Sequence, residues 1–349
     1  MLTFQRLIDK LTSFWAEKGC LIEQGHDIEV GAGTFNPSTF FRSLGEEPYA
    51  SVYVEPSRRP QDGRYGDNPN RTHVFHQLQV VMKPSPLDIQ NFYLESLEAI
   101  GIPLDRHDIR FVHDDWESPT LGAWGLGWEV WCDGLEITQF TYFQAMGSQE
   151  LFPITVELTY GLERLCMLLQ NAPSFFEMRW NERVSYGAQR HQAEVEWSDY
   201  AFSHSNTEMW ERHFADYERE AKGLVEVGLS RPAYDFVLKA SHAFNMLEAR
   251  GVLGTTQRTG YIGRIRDLAR LCAAAYLESR DRDQYRLLIQ PRTSKKKGLP
   301  PPQIDPNPNK RDDFLLEIGS EELPATFVPI GMKALSERVT KLLDDHAIE

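Results

Sequence analysis

Cysteine is scarce in this 349-residue chain, and its four thiols (Cys20, Cys132, Cys166, Cys272) lie far apart with no C-x-x-C pair. Such spacing builds neither a disulfide framework nor a zinc ribbon, so four reduced, mostly buried thiols are expected. Long apolar runs are missing too. None approaches the roughly 20 residues that a membrane helix needs, so no membrane partner is expected. The opening MLTFQRLIDKLTSFW has no basic stretch ahead of an apolar one and no small-residue cleavage site, which reads as cytoplasmic. Positive charge is also short, with 37 Lys and Arg against 51 Asp and Glu and a net charge of -14. That balance excludes broad electrostatic attraction to nucleic acid, so any RNA contact must be local or supplied elsewhere. Finally, no glycine-rich loop of the Rossmann or P-loop kind follows any strand. If the chain binds a nucleotide, it does so another way.

What is present alternates between strand and helix without a regular wind. Residues 2 to 18 put Leu2, Phe4, Leu7, Ile8, Leu11, Phe14 and Trp15 on one helical face, and Gly19 follows as a natural stop. YASVYVEP (49 to 56) and THVFHQLQVVMK (72 to 83) read as strands closed by prolines, with a loop between them. Ser85-Pro86-Leu87-Asp88 carries an N-cap and an N-terminal proline, predicting a helix from there to Gly101. In WEVWCDGLEITQF, Asp133-Gly134 between two β-rich runs is the signal of a two-residue hairpin turn. ITVELT then runs as a strand straight into the helix YGLERLCMLLQ. Strands joined by hairpins and loops, with helices interspersed irregularly, predict an α+β fold on an antiparallel sheet. Beyond about 172 the character changes to helices, with apolar residues at helical spacing over 206 to 224, 232 to 250 and 259 to 277. The organisation expected is therefore a domain over 1–171, an all-α domain over 172–290, a Pro/Lys-rich linker over 291–313, and over 314–349 the start of a further region.

Three segments stand out for chemistry. The first strand ends at Pro56 and is followed three residues later by Arg59. The second is Arg71-x-x-x-Phe75-x-x-x-Gln79, whose alternation puts 71, 73, 75, 77 and 79 on one sheet face and so offers Arg71, Phe75, Gln77 and Gln79 together. The third is Gly161-Leu162-Glu163-Arg164, opening a helix directly after a strand. Each alone reads equally as a surface arginine, a polar strand face or a helix-surface ion pair. In this order they resemble the signature motifs of the class II aminoacyl-tRNA synthetases. The resemblance implies an antiparallel sheet flanked by helices and assigns Arg59 to the α-phosphate of ATP, Arg71 to the outer phosphates, Phe75 to the adenine ring and Arg164 to the γ-phosphate. Planar guanidinium groups suit charge gathering on phosphate oxygens. The family's usual acid two residues after the first arginine is absent, since Gln61 stands there.

DIEVGAGTF, PSRRPQDGRYGDNPNR, DDWESPTLGAWGLGWEVW and TQFTYF resemble the bacterial-type glycyl-tRNA synthetase alpha subunit over roughly residues 1 to 290, and LLEIGSEELPA resembles the opening of the beta subunit. That resemblance implies glycine activation with ATP and Mg²⁺, transfer to tRNA(Gly) together with a beta part, and a homodimer through the catalytic domain. It also allows a plastid stroma in a plant, as a mature form without a transit peptide. By comparison with the alanyl relative, Glu157 stands where an aspartate grips the substrate amino group, and its extra methylene would fill the space that alanine's methyl needs. Trp116, Trp128 and Trp131 are candidates to assist. Gln79, Thr34 and Gln139 are further candidates around glycine, and Glu129 is the candidate Mg²⁺ ligand. The rival expectations are another carboxylate-adenylating ligase and a non-catalytic paralogue that binds RNA.

Overall fold

The computed structural model describes residues 2–282 and 327–345, and the chain divides into two compact units, Met1–Ile289 and Gln290–Glu349. In the first unit, helix α1 (Phe4–Glu17) is capped by the Thr3 side chain on Arg6 N and buries Phe4, Leu7, Leu11 and Trp15. Strand β1 (Leu21–Ile22), helix α2 (Pro37–Ser43), strands β2 (Tyr49–Arg58) and β3 (Val74–Lys83), and helix α3 (Ile89–Ile100) follow. Strands β4 (Ile109–His113), β5 (Trp116–Ser118), β6 (Ala123–Cys132), β7 (Leu135–Met146) and β8 (Gln149–Gly161) lead into helix α4 (Leu162–Gln170). Helices α5 (Tyr186–Asp199), α6 (Thr207–Glu226), α7 (Ser230–Ala249) and α8 (Thr255–Arg282) complete the unit. In the second unit, helix α9 (Phe327–Asp345) is described. The expected linker and the strand-like LLEIG stretch lie outside the described residues.

The strands form one sheet in the order β1-β2-β3-β8-β7-β6-β4, with β5 on β6. Among the described residues, every pairing between these strands is antiparallel except β1 with β2. Asp133 (φ 50°) and Gly134 (φ 84°) make the two-residue turn between β6 and β7, where a left-handed backbone matches the twist of the flanking strands. One sheet face carries Leu78, Val80, Leu158 and Tyr160 against α1, α3 and α4. The Trp15 indole donates to the Tyr160 hydroxyl at 3.1 Å, fastening α1 across that core. The other face has its own apolar cluster, in which Phe40, Phe143 and Leu151 meet Tyr234, Val237 and Ala273 of the later helices. All four cysteines are buried and free.

Two local expectations are corrected. The helix foreseen from Ser85 begins at Ile89, because Ser85 N is bonded to Ile154 O of β8 and a turn closed by Ile89 N on Pro86 O precedes the helix. The regular alternation foreseen from residue 71 begins only at Val74, so His73 leaves the shared face and stacks on Trp197.

Candidate active site

Odd-numbered residues of β3, β6 and β8 point away from the α1 side of the sheet, and their polar members floor a cleft of about 370 Å³. From β3 come Phe75 and Gln77, from β6 Glu129, from β7 Gln139 and from β8 Thr159. Arg59 enters from the end of β2, Arg71 from the following loop and Arg164 from the first turn of α4. Strand and helix elements far apart in sequence thus bring three guanidinium groups to one cavity. Thr34 and Trp116 complete the wall.

The arginines are held in distinct ways. Arg59 Nε donates to Gly31 O at 2.8 Å, and its guanidinium carbon lies 4.9 Å from the Phe75 ring centre. Arg59 is exposed at the cleft mouth by surface area, although the walls crowd its guanidinium. That crowding lowers its pKa, with Asp62 and Glu136 acting in the opposite sense and Arg71 and Arg164 lowering it further. It remains cationic at neutral pH. Arg164 Nη1 donates to Glu136 Oε2 at 2.7 Å and to Glu136 O at 3.2 Å. Its neighbour Glu163 is buried and accepts from His76 N (2.9 and 3.0 Å), His76 Nδ1 (2.7 Å) and the Tyr186 hydroxyl (2.8 Å). The start of α4 is therefore clamped to β3, which fixes Arg164 relative to Phe75.

Glu157 and Gln79 do not line the cleft. They lie directly beneath it, 1% and 0% exposed. Thr34 donates to Glu157 Oε2 at 2.7 Å and Thr159 to the same oxygen at 3.4 Å. With its amide oriented to satisfy every neighbour, Gln79 donates to Thr159 Oγ1 and Leu158 O and accepts from Thr34 N at 3.0 Å. Gly33 packs so closely on Gln79 that a Cβ there would stand 2.1 Å from the end of the amide, the oxygen in this orientation. Glu157 Oε1 has no hydrogen-bond partner among the described residues. Burial pushes the Glu157 carboxyl up to about 7, against the lowering effect of the threonine hydroxyls. An unpartnered carboxylate oxygen one side chain below a polar cleft is suited to receive a cation.

Of the other aromatic candidates, Trp128 packs on the α1 side of the sheet with the core, away from the cleft. Trp131 acts indirectly, its indole donating to Glu129 Oε2 at 2.9 Å. Sequence reasoning missed Glu136, Asp62 and Asp114, which bring three more carboxylates to the cleft. The acid sought at position 61 stands at 62. The single helical turn Pro60–Asp62 swings Asp62 into the cleft and sends Gln61 to Glu248 at 2.6 Å. The Asp62-Gly63 pair was the available signal. Glu129 and these acids bring hard oxygen donors, the donor class Mg²⁺ takes, to the walls of the cleft.

An antiparallel sheet with its polar cleft on the open face, and helices packed behind, is the catalytic fold of a class II aminoacyl-tRNA synthetase. A family model described as the glycyl-tRNA synthetase alpha subunit matches residues 4–281, and the chain belongs to that family. It is 56% identical over 347 residues to a glycine-tRNA ligase of Chlamydia pneumoniae and 55% identical to one of Chlamydia trachomatis serovar D. Each match covers 99% of this chain and 34% of the relative, so the chain spans about a third of the length of these relatives. Among solved structures, a pyrrolysyl-tRNA synthetase of Desulfitobacterium hafniense is similar with a TM-score of 0.40 and 16% identity, covering 52% of this chain and 72% of that one. No helix among the described residues is long and apolar enough to cross a membrane.

Proposed function

We propose that this chain is the catalytic part of a glycine-tRNA ligase, activating glycine with ATP and working with a beta-like region to charge tRNA(Gly). The observation that carries the reading is the convergence of Arg59 and Arg164 on one cleft. Glycine's carboxylate, ionised at neutral pH, attacks the α-phosphate in line and expels pyrophosphate, leaving glycyl-adenylate. Arg59 meets the equatorial oxygens of the α-phosphate as charge gathers there, and Arg71 and Arg164 hold the outer phosphates. Arg164 exchanges its Glu136 partner for phosphate, a substitution of one anion for another. Phe75 stacks the adenine, and Gln77 and Gln139 orient ribose or glycine. Glu129 would hold Mg²⁺, which supplies charge neutralisation along the phosphates.

Glycine's ammonium is matched to the Glu157 carboxylate once the Thr34 and Thr159 hydroxyls yield Oε2, and Gln79 fixes both threonines from below. Trp116 closes the wall beside them. In this reading residues 1–171 hold the chemistry, 172–290 form a helical domain and 314–349 begin a beta-like region that brings RNA contacts to an acidic chain. Two catalytic domains pair as a homodimer. ATP-pyrophosphate exchange tests the proposal directly. Arg59→Ala and Arg164→Ala should each lower glycine-dependent exchange about 10² to 10³-fold, the loss typical of a transition-state donor. Intact exchange in either variant, or exchange driven by another amino acid and not glycine, would overturn it.

A further inference from the structure

Behind the catalytic cleft, on the opposite face of the sheet, a second cavity of about 280 Å³ lies between the start of β3 and α5. Adjacent strand residues separate the two sites, because Phe75 lines the cleft and Val74 lines this cavity. Thr72 touches both.

Two arginines line the cavity without a carboxylate partner among the described residues. Arg58, the last residue of β2, lies with its guanidinium carbon 5.4 Å from the Trp197 ring centre and makes no salt bridge among the described residues. Arg190 of α5 has a buried Nε with no hydrogen-bond partner among the described residues, its Nη2 meets His76 Nε2 at 3.5 Å, and its guanidinium carbon lies 5.4 Å from the Trp180 ring centre. One acid, Glu194, lines the cavity, but its oxygens are taken by Arg64 N (2.9 Å), His73 N (2.7 Å) and the Ser198 hydroxyl (3.3 Å). In a chain with 51 acidic and 37 basic residues, two such guanidinium groups are not a product of composition. A partly buried cation without an anion is unfavourable, and the surrounding fold holds two toward one space. Three rings, Trp197, Phe176 and Tyr186, share the remaining walls with Pro56, Val74 and Ala193. Paired guanidinium groups recognise phosphate, and exposed ring faces stack bases.

We propose that this cavity is a second phosphate-recognition site, taking one nucleotide phosphate on Arg58 and Arg190 with its base against Trp197 or Phe176. The nucleotide is either free or part of a single-stranded RNA end. The RNA source rests on the ligase reading, and the free-nucleotide source does not.

Two probes separate the sources in the Arg58→Gln/Arg190→Gln double variant. A fluorescently labelled single-stranded RNA ending in CCA is titrated between 50 and 200 mM salt, and AMP stoichiometry is measured by equilibrium dialysis. If the site holds RNA, binding weakens at least about tenfold and the log-log salt slope flattens by about 0.7, the value for one phosphate on a single strand. The corresponding Lys pair, which keeps the charge, retains the slope. If the site holds a free nucleotide, AMP falls from two per chain to one while RNA binding stays. Unchanged binding of both probes overturns the proposal. Glycine-dependent pyrophosphate exchange is followed alongside, so failure of the ligase reading shows in the parent protein independently. Should the glutamine pair lose exchange, Trp197→Ala replaces it, at a side chain already 38% exposed. Unchanged RNA and AMP binding there likewise overturns the site.

Discussion

Replacing Glu157 by glutamine keeps the shape of the side chain and removes its charge, which separates what the carboxylate costs the fold from what it does for glycine. Burial raises this carboxyl from 4.5 to about 7. A rise of that size corresponds to about 3 kcal/mol between the protonated and ionised forms. Below pH 4.5 the group is protonated in folded and unfolded chains alike, and parent and variant should be equally stable. Between 4.5 and 7 the unfolded chain releases a proton that the folded chain keeps, so the parent loses stability as pH rises. Above 7 the whole cost stands, and Glu157→Gln should be more stable than the parent by about 1 to 3 kcal/mol. Thr34 can still meet the amide, because its hydroxyl donates to the carbonyl oxygen as it now donates to Oε2. The same variant should lose glycine-dependent exchange, since an amide offers the ammonium no charge. In the parent, the KM for glycine should rise as pH falls through about 7, where the carboxylate is being protonated. Urea denaturation at pH 5 and pH 8, beside exchange at both, measures each limb. A glutamine variant less stable than the parent at pH 8, or one that still uses glycine well, would refute the argument.

Shortening the same side chain tests selectivity. Glu157→Asp should raise exchange with alanine relative to glycine by about 10 to 200-fold, the range one methylene commands, and an unchanged preference discards the steric role. Gly33→Ala should drive a methyl into the Gln79 amide and displace Thr34, lowering kcat/KM for glycine about 10²-fold while circular dichroism stays unchanged. Glu163→Ala strands His76 N, His76 Nδ1 and the Tyr186 hydroxyl, and should cost about 3 kcal/mol or more in urea denaturation. A loss under 1 kcal/mol would show that α4 is held in place by something else.

Where the sequence was legible, the reason was local. Period-2 alternation from Val74 to Lys83, the Asp133-Gly134 turn and the strand-to-helix step at Gly161 each depend on neighbours a few residues away. These signals put Phe75, Gln77 and Arg164 in one cleft correctly. They failed at the strand's beginning, where the loop through Thr72 and His73 is set by Glu194 and Trp197, over 120 residues on. The helix onset at Ile89 failed for the same reason, since a backbone bond from Ser85 to Ile154 outweighed a good capping sequence. Helix α5 was missed because it lacks a strong apolar stripe and buries only Tyr186, Glu194 and Ser198 along its length.

By itself the amino-acid sequence determined the antiparallel sheet, the helices that follow it, and which side chains could face a phosphate chain, because backbone periodicity and turn chemistry are carried by adjacent residues. Only the tertiary structure decided that Glu136 occupies Arg164, that Glu163 clamps α4 to β3, and that Glu157 waits beneath Thr34 and Thr159 instead of lining the cleft. Those outcomes depend on which polar atoms meet after segments remote in sequence have packed, and on how much water is left around each charge.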